Sequence, residues 1–222
     1  MYLTGKLFTE FALAERPASG TGKETVLYRS ATADEPYVPE SWSHDGRWLL
    51  LTTGSYFYLL TMAPEGAGGE RKLIPLPINP TGGRHASFSP DSRWILYSSI
   101  QTGRREVFVE AIPEALGGPP ASARQQVSID GGSEPVWRAD GKEIFYLALD
   151  GKMMAVSVES VSASLKLGAP KPLFQTRLEL DSFSRQYDVS ADGLRFLLAQ
   201  PLEEGASVPI TVIVNWPALL KK

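Results

Sequence analysis

The sequence predicts an all-β chain built as a β-propeller, and three observations carry that prediction: a turn motif that recurs four times, an apolar strand after every copy, and further strand-like segments completing each repeat. The motif reads Ser41-Trp42-Ser43-His44-Asp45-Gly46, Ser87-Phe88-Ser89-Pro90-Asp91-Ser92, Val136-Trp137-Arg138-Ala139-Asp140-Gly141 and Asp188-Val189-Ser190-Ala191-Asp192-Gly193. Its aspartates lie 46, 49 and 52 residues apart (Asp45 to Asp91, Asp91 to Asp140, Asp140 to Asp192). Self-similarity at about 40 to 50 residues marks a repeat architecture.

After each turn comes a short apolar run: Trp48 to Leu51, Trp94 to Tyr97, Ile144 to Leu147 and Phe196 to Leu198. Aromatic and branched residues bounded by Gly, Ser, Asp and Pro read as strands. The runs do not alternate apolar with polar, so both faces of their sheets must be covered, as in a blade stacked between two others. A third strand is expected at Tyr56 to Leu60, Glu106 to Val109, Met153 to Val158 and Ile210 to Val214, and a fourth at Leu73 to Leu76, Gln126 to Ile129 and Leu173 to Thr176. Four antiparallel strands per repeat describe a propeller blade. Trp42, Phe88, Trp137 and Val189 hold equivalent places ahead of the turns and are expected to pack between blades.

The predicted organisation is one propeller region over residues 1–222, with blades at 36–78, 83–130 and 132–177, a last, three-stranded blade at 184–216, and a tail at 217–222. Residues 1–31 supply outer strands of a preceding or closing blade. The N-terminal strand could complete the last blade, which would remove exposed edges. The preferred reading makes it the remnant of a preceding blade, so that the chain is a fragment of a larger ring with apolar terminal faces prone to self-association.

Composition narrows the partners. The 43% apolar and 10% aromatic content is that of a globular protein. The net charge of −3 arises from interspersed residues, which argues against nucleic acid or an anionic membrane as partners. No apolar run approaches the roughly 20 residues of a membrane-spanning helix. No export signal is expected, because Glu10 and Glu15 interrupt the N-terminus. The absence of cysteine leaves the compartment open.

The segment Pro135-Val136-Trp137-Arg138-Ala139-Asp140-Gly141-Lys142-Glu143-Ile144-Phe145-Tyr146 resembles the TolB-like, WD-repeat-like propeller motif, and residues 87–94 match it nearly as well, with Ser92 in place of Gly. Residues 41–48 depart from it by His44 for Pro. The tail segments 172–177, 187–193 and 209–216 resemble the C-terminal end of propellers in soil-bacterial multidomain proteins carrying a serine/threonine kinase domain. That resemblance implies a sensory or interaction module of a larger signalling protein, located in the periplasm or otherwise outside the cytoplasm.

Catalytic motifs are missing. There is no kinase glycine loop, His-Arg-Asp or Asp-Phe-Gly, and no Gly-x-Ser-x-Gly elbow. The segment Gly20-Thr21-Gly22-Lys23-Glu24 lacks the hydroxyl residue of a phosphate loop. His44 and His85 are the only histidines, too few for a zinc site or an obvious serine triad. The turn aspartates invite a calcium reading, but Asp-Gly is itself a turn solution, with Asp bonding local N–H groups and Gly supplying positive φ. No cofactor is therefore expected, and the chain is read as non-catalytic.

Propeller geometry points instead to one rim. Loops entering the inner strands and loops joining second to third strands open on the same face, which gathers Glu40, Arg84, His85, Glu134, Arg185 and Gln186 near the channel mouth. Mixed charge there suits a protein, a peptide or a small polar ligand. The competing reading is an accessory propeller gating substrate for a peptidase or other hydrolase, and a third is a structural protein–protein scaffold.

Overall fold

The computed structural model of the chain describes residues 11–30, 37–54, 56–62, 71–78, 81–118, 124–161, 164–180, 182 and 184–201. Its strands fall into successive antiparallel sheets. A hairpin of β1 (Ala12–Glu15) and β2 (Thr25–Arg29) precedes a four-stranded sheet of β3 (Val38–Trp42), β4 (Trp48–Thr53), β5 (Tyr56–Thr61) and β6 (Leu73–Pro75). The next sheet holds β7 (Arg84–Phe88), β8 (Trp94–Ser99), β9 (Glu106–Ala111) and β10 (Gln125–Gln126). The third has five strands: β11 (Ser133–Trp137), β12 (Glu143–Leu147), β13 (Lys152–Val161), β14 (Ser164–Leu167) and β15 (Lys171–Gln175). A last pair, β16 (Tyr187–Val189) and β17 (Phe196–Leu198), follows. The helical content among the described residues is one 3-10 turn, Glu114–Leu116. The fold is all-β and propeller-like.

The core explains why the strands after the turns are apolar on both faces. Successive side chains of a strand point to opposite sides of the sheet, so each of these strands feeds two interfaces. Leu50 joins Phe57, Ile95 and Tyr97 between the first and second four-stranded sheets. Its neighbours Leu49 and Leu51 turn the other way, onto Leu27 of the N-terminal hairpin. Trp94 and Leu96 pack with Ile144 and Tyr146 between the second and third blades, while Phe145 and Leu147 meet Tyr187 and Phe196 of the last pair. Leu50, Leu96 and Tyr146 are wholly buried, as expected.

Trp42 departs from the expectation, since it is 51% exposed. Paired with Leu49, it lies on the side facing the N-terminal hairpin and stands outside the cluster that forms there. Its counterpart Phe88 is covered because a full four-stranded sheet lies beside it.

Some strand limits also differ from the prediction. The fourth strand of the second blade is only Gln125–Gln126, because the Ser128 hydroxyl accepts the Val107 N–H at 2.8 Å where a ladder bond would otherwise run. In the third blade β13 continues to Val161 and doubles back as β14, pairing Val158 with Leu167 and Ser160 with Leu165. That extra hairpin has no counterpart in the other described blades. The proposed strand at Ile210 to Val214 lies outside the described residues.

The turns are built alike. Oδ1 of Asp45, Asp91, Asp140 and Asp192 accepts the backbone N–H two residues on, at 3.0, 3.1, 3.0 and 3.0 Å. In three copies a serine hydroxyl also donates to that oxygen: Ser43, Ser89 and Ser190, at 2.7, 2.5 and 2.5 Å. The third copy has Arg138, whose guanidinium donates to both oxygens of Asp140 at 2.6 and 2.7 Å and holds that carboxyl down at about 2. These contacts assign the aspartates to turn construction. Gly46, Gly141 and Gly193 take the left-handed position that follows (φ 70°, 73° and 73°), and Ser92 occupies it at 58°.

Candidate functional site

The first strand of each of the three larger sheets, β3, β7 and β11, runs into a motif turn, and each is bulged ahead of that turn. Arg84 pairs with Ser98 but Ser87 with Leu96, and Ser133 pairs with Leu147 but Val136 with Phe145. Between Pro39 and Ser41 the register slips by the one residue Glu40. A bulge leaves a residue unpaired and re-aims its side chain. The bulged residues include Glu40, His85 and Glu134, and the last two hold φ of 54° and 51°. Non-glycine residues seldom adopt that conformation, so the fold sustains local strain to place these side chains.

Glu40, Arg84, His85 and Arg185 line one basin of about 630 Å³, together with Thr52 and Ser87. Glu40 accepts the Thr52 hydroxyl at 2.9 Å and bonds the backbone of Ala86 in the next blade. Burial raises its pKa, an effect that these two hydrogen bonds and the charge of Arg185 offset only in part. His85 is buried within its strand, whereas Arg185, in the segment just before β16, is exposed and lines the basin. The basin thus combines a carboxyl whose pKa burial raises with two guanidinium groups, an imidazole and hydroxyls.

Glu134 and Gln186 are placed differently from the other four. Glu134 is fully buried, and its carboxylate accepts the Gln186 backbone N–H at 2.7 Å and the Gln186 side-chain amide at 2.8 Å. Its carbonyl accepts the Tyr187 hydroxyl at 2.6 Å. The pair ties the third blade to the last strands, and neither residue lines the basin.

Sequence reasoning missed Thr52, Ser87 and the support beneath the basin. Arg105 is buried and donates to the carbonyl of Gly82 at 3.0 Å, fixing the loop that enters the second inner strand. Beside it, buried Glu106 accepts from the Ser128 hydroxyl at 2.5 Å and the Gly131 N–H at 3.0 Å. The available signal was Arg104-Arg105-Glu106, three consecutive charges running into the apolar Val107-Phe108-Val109. Among the described residues no three His, Cys, Asp or Glu side chains group as a metal site would require, and no helix is long and apolar enough to cross a membrane.

No family model matches the chain, and no curated protein is similar to it. Solved structures are. A periplasmic gluconolactonase from Pseudomonas aeruginosa superposes with a TM-score of 0.52 at 19% identity over 85% of this chain and 56% of its own. TolB from Acinetobacter baumannii gives 0.49 at 17%, over 79% and 40%, and a 6-phosphogluconolactonase candidate from Bacteroides uniformis gives 0.49 at 16%, over 74% and 48%. The chain spans about half the length of these proteins. The likeness establishes the propeller fold.

It also corrects one expectation. The sequence leads to the expectation of a non-catalytic chain, yet a gluconolactonase has this propeller architecture, so missing kinase and serine-hydrolase signatures do not make the chain non-catalytic. Nothing in the comparisons supports the expected tie to a serine/threonine kinase.

Proposed function

We propose that the chain is the substrate-holding part of a hydrolase propeller and that the channel-mouth basin receives a small, hydroxylated, hydrolysable ligand such as a sugar lactone. One observation carries the reading: Glu40, with its proton affinity raised by burial, shares a basin with Arg84, His85 and Arg185. A carboxyl poised in this way exchanges a proton closer to neutrality than an exposed one and suits general acid–base work. The guanidinium groups polarise a carbonyl oxygen and stabilise the charge that develops on it. In this scheme Glu40 takes a proton from water as its oxygen adds to the carbonyl carbon. The ring C–O bond then breaks, and the same proton passes to the leaving oxygen.

The test is acid release from glucono-δ-lactone followed by pH-stat, against the spontaneous rate. Acceleration that Glu40→Gln and Arg185→Ala each reduce about tenfold or more supports the reading. No acceleration by the wild-type chain sinks it.

A second reading, a protein- or peptide-binding module of a larger signalling protein outside the cytoplasm, is favoured by the last strand pair, where Leu194 and Leu197 are 81% and 76% exposed. Exposed apolar side chains of this kind mark contact surfaces, including contacts between copies. Capture of one partner by the wild-type chain but not by Leu194→Asp/Leu197→Asp would support that reading, and equal capture by both would remove it.

A further inference from the structure

A second cavity, of about 540 Å³, lies at the opposite end of the inner strands, where the turns of the second and third blades meet. Its volume is that of ordinary small-molecule sites. Trp94 and Trp137 form its apolar floor with Val158 and Leu165. Both aliphatic residues belong to the β13–β14 hairpin, the element absent from the other described blades, so the cavity has a wall that the repeat itself does not supply.

The charges at its rim are selectively occupied. Asp140 is held at both oxygens by Arg138, and Glu159 pairs with Lys166 at 3.4 Å. Asp91 uses one oxygen for the turn, accepting from Ser89 and from the Arg93 N–H. Among the described residues, no ion pair reaches either Asp91 or Lys142, although both line the cavity. Asp91 and Lys142 are both exposed at the rim of an apolar, indole-lined floor; the charge of Lys142 acts on Asp140, but Arg138 already holds both oxygens of that carboxylate.

We infer that this cavity binds a short apolar peptide, amino acid to dipeptide in size, through both of its free ends. The ammonium group meets Asp91 and the carboxylate meets Lys142, while the apolar side chain packs on Trp94, Trp137 and Leu165. A ligand with one charge would leave the opposite rim charge unmatched, and a neutral one would leave both. Aromatic floors add attraction for a nearby ammonium group.

The test is isothermal titration of the whole chain with L-leucyl-L-phenylalanine, its N-acetyl derivative and its C-terminal amide. The free dipeptide binds, and each blocked form binds about tenfold more weakly, the scale of one charge-assisted hydrogen bond. Asp91→Asn keeps the Oδ1 acceptor of the turn; it lowers affinity for the free dipeptide by the same factor and leaves the N-acetyl form unchanged. Lys142→Met does the same with respect to the amide. Arg185→Ala, at the channel mouth, leaves all three affinities unaltered, which separates this site from the basin. No binding of the free dipeptide, blocked forms that bind equally well, or variants that weaken all three probes alike would each overturn the proposal.

Discussion

The carboxylate of Glu134 accepts both the backbone N–H and the side-chain amide of Gln186, at 2.7 and 2.8 Å, and so joins two blades across 52 residues of sequence. The backbone at Glu134 is held at φ 51° to make this contact. Glu40 does something comparable two interfaces earlier, since it bonds the backbone of Ala86 in the adjacent blade. Carboxylates at inner-strand bulges thus serve as clamps between blades, and the two differ in what else they touch. Glu134 is closed off by Gln186, whereas Glu40 opens on the basin.

Glu134→Ala should lower stability by about 2 kcal/mol, because it leaves the half-buried Gln186 N–H without its acceptor. Gln186→Ala should cost less, because the backbone N–H remains to bond the carboxylate. Urea denaturation of both variants checks the order, and equal losses would assign the clamp to the side-chain amide.

At Ser92 two effects oppose each other. Its φ of 58° is strained for a residue with a Cβ, but its hydroxyl accepts the His44 N–H from the first blade at 2.8 Å. Ser92→Ala keeps the strain and loses the bond, costing about 1 kcal/mol. Ser92→Gly loses the same bond and regains a similar amount from the backbone, so it should melt close to wild type. A glycine variant less stable than the alanine variant would contradict this accounting.

The dependence of stability on pH has two windows. Burial raises the pKa of Glu40, and likewise of Glu110, above 4.5, so the folded chain binds those protons more tightly than the unfolded chain. Their contribution is full below pH 4.5 and is lost as pH rises through the raised values. Asp140 runs the other way: its arginine partner lowers it from 3.8 to about 2, so its contribution is present above pH 3.8 and lost as pH falls toward 2. Denaturation midpoints should fall on the alkaline side of pH 4.5, and less steeply in Glu40→Gln/Glu110→Gln. An unchanged slope in that double variant would assign the fall to other groups.

Trp137 packs on the core between the second and third blades, yet its indole N–H is buried without a partner. Trp137→Ala should therefore cost about 3 to 5 kcal/mol as a large truncation. Trp137→Phe should cost under about 1.5 kcal/mol, because it keeps most of the apolar volume and removes an unsatisfied donor. A similar loss in both would show that the indole itself, rather than apolar volume, sets the stability.

The local features were legible in the chain by itself, because each is a short-range consequence of its own residues. Ser-x-Asp-Gly closes a turn through contacts within five residues, and Trp48 to Leu51 or Ile144 to Leu147 announces a two-faced strand through unbroken apolarity. Their recurrence led to the propeller, and propeller geometry led to a shared rim holding Glu40, Arg84, His85 and Arg185. What tertiary structure alone decided depends on neighbours far away in sequence. Trp42 and Phe88 are equivalent in the repeat, but only Phe88 has a full sheet beside it. Glu40 and Glu134 look alike as rim acids, but Gln186 reaches only the second. Arg105 looks like a surface charge until Gly82, 23 residues earlier, is seen to accept from it. Burial and polar satisfaction are properties of an interface between blades, and a repeat motif specifies the blade but not which faces and partners it will meet.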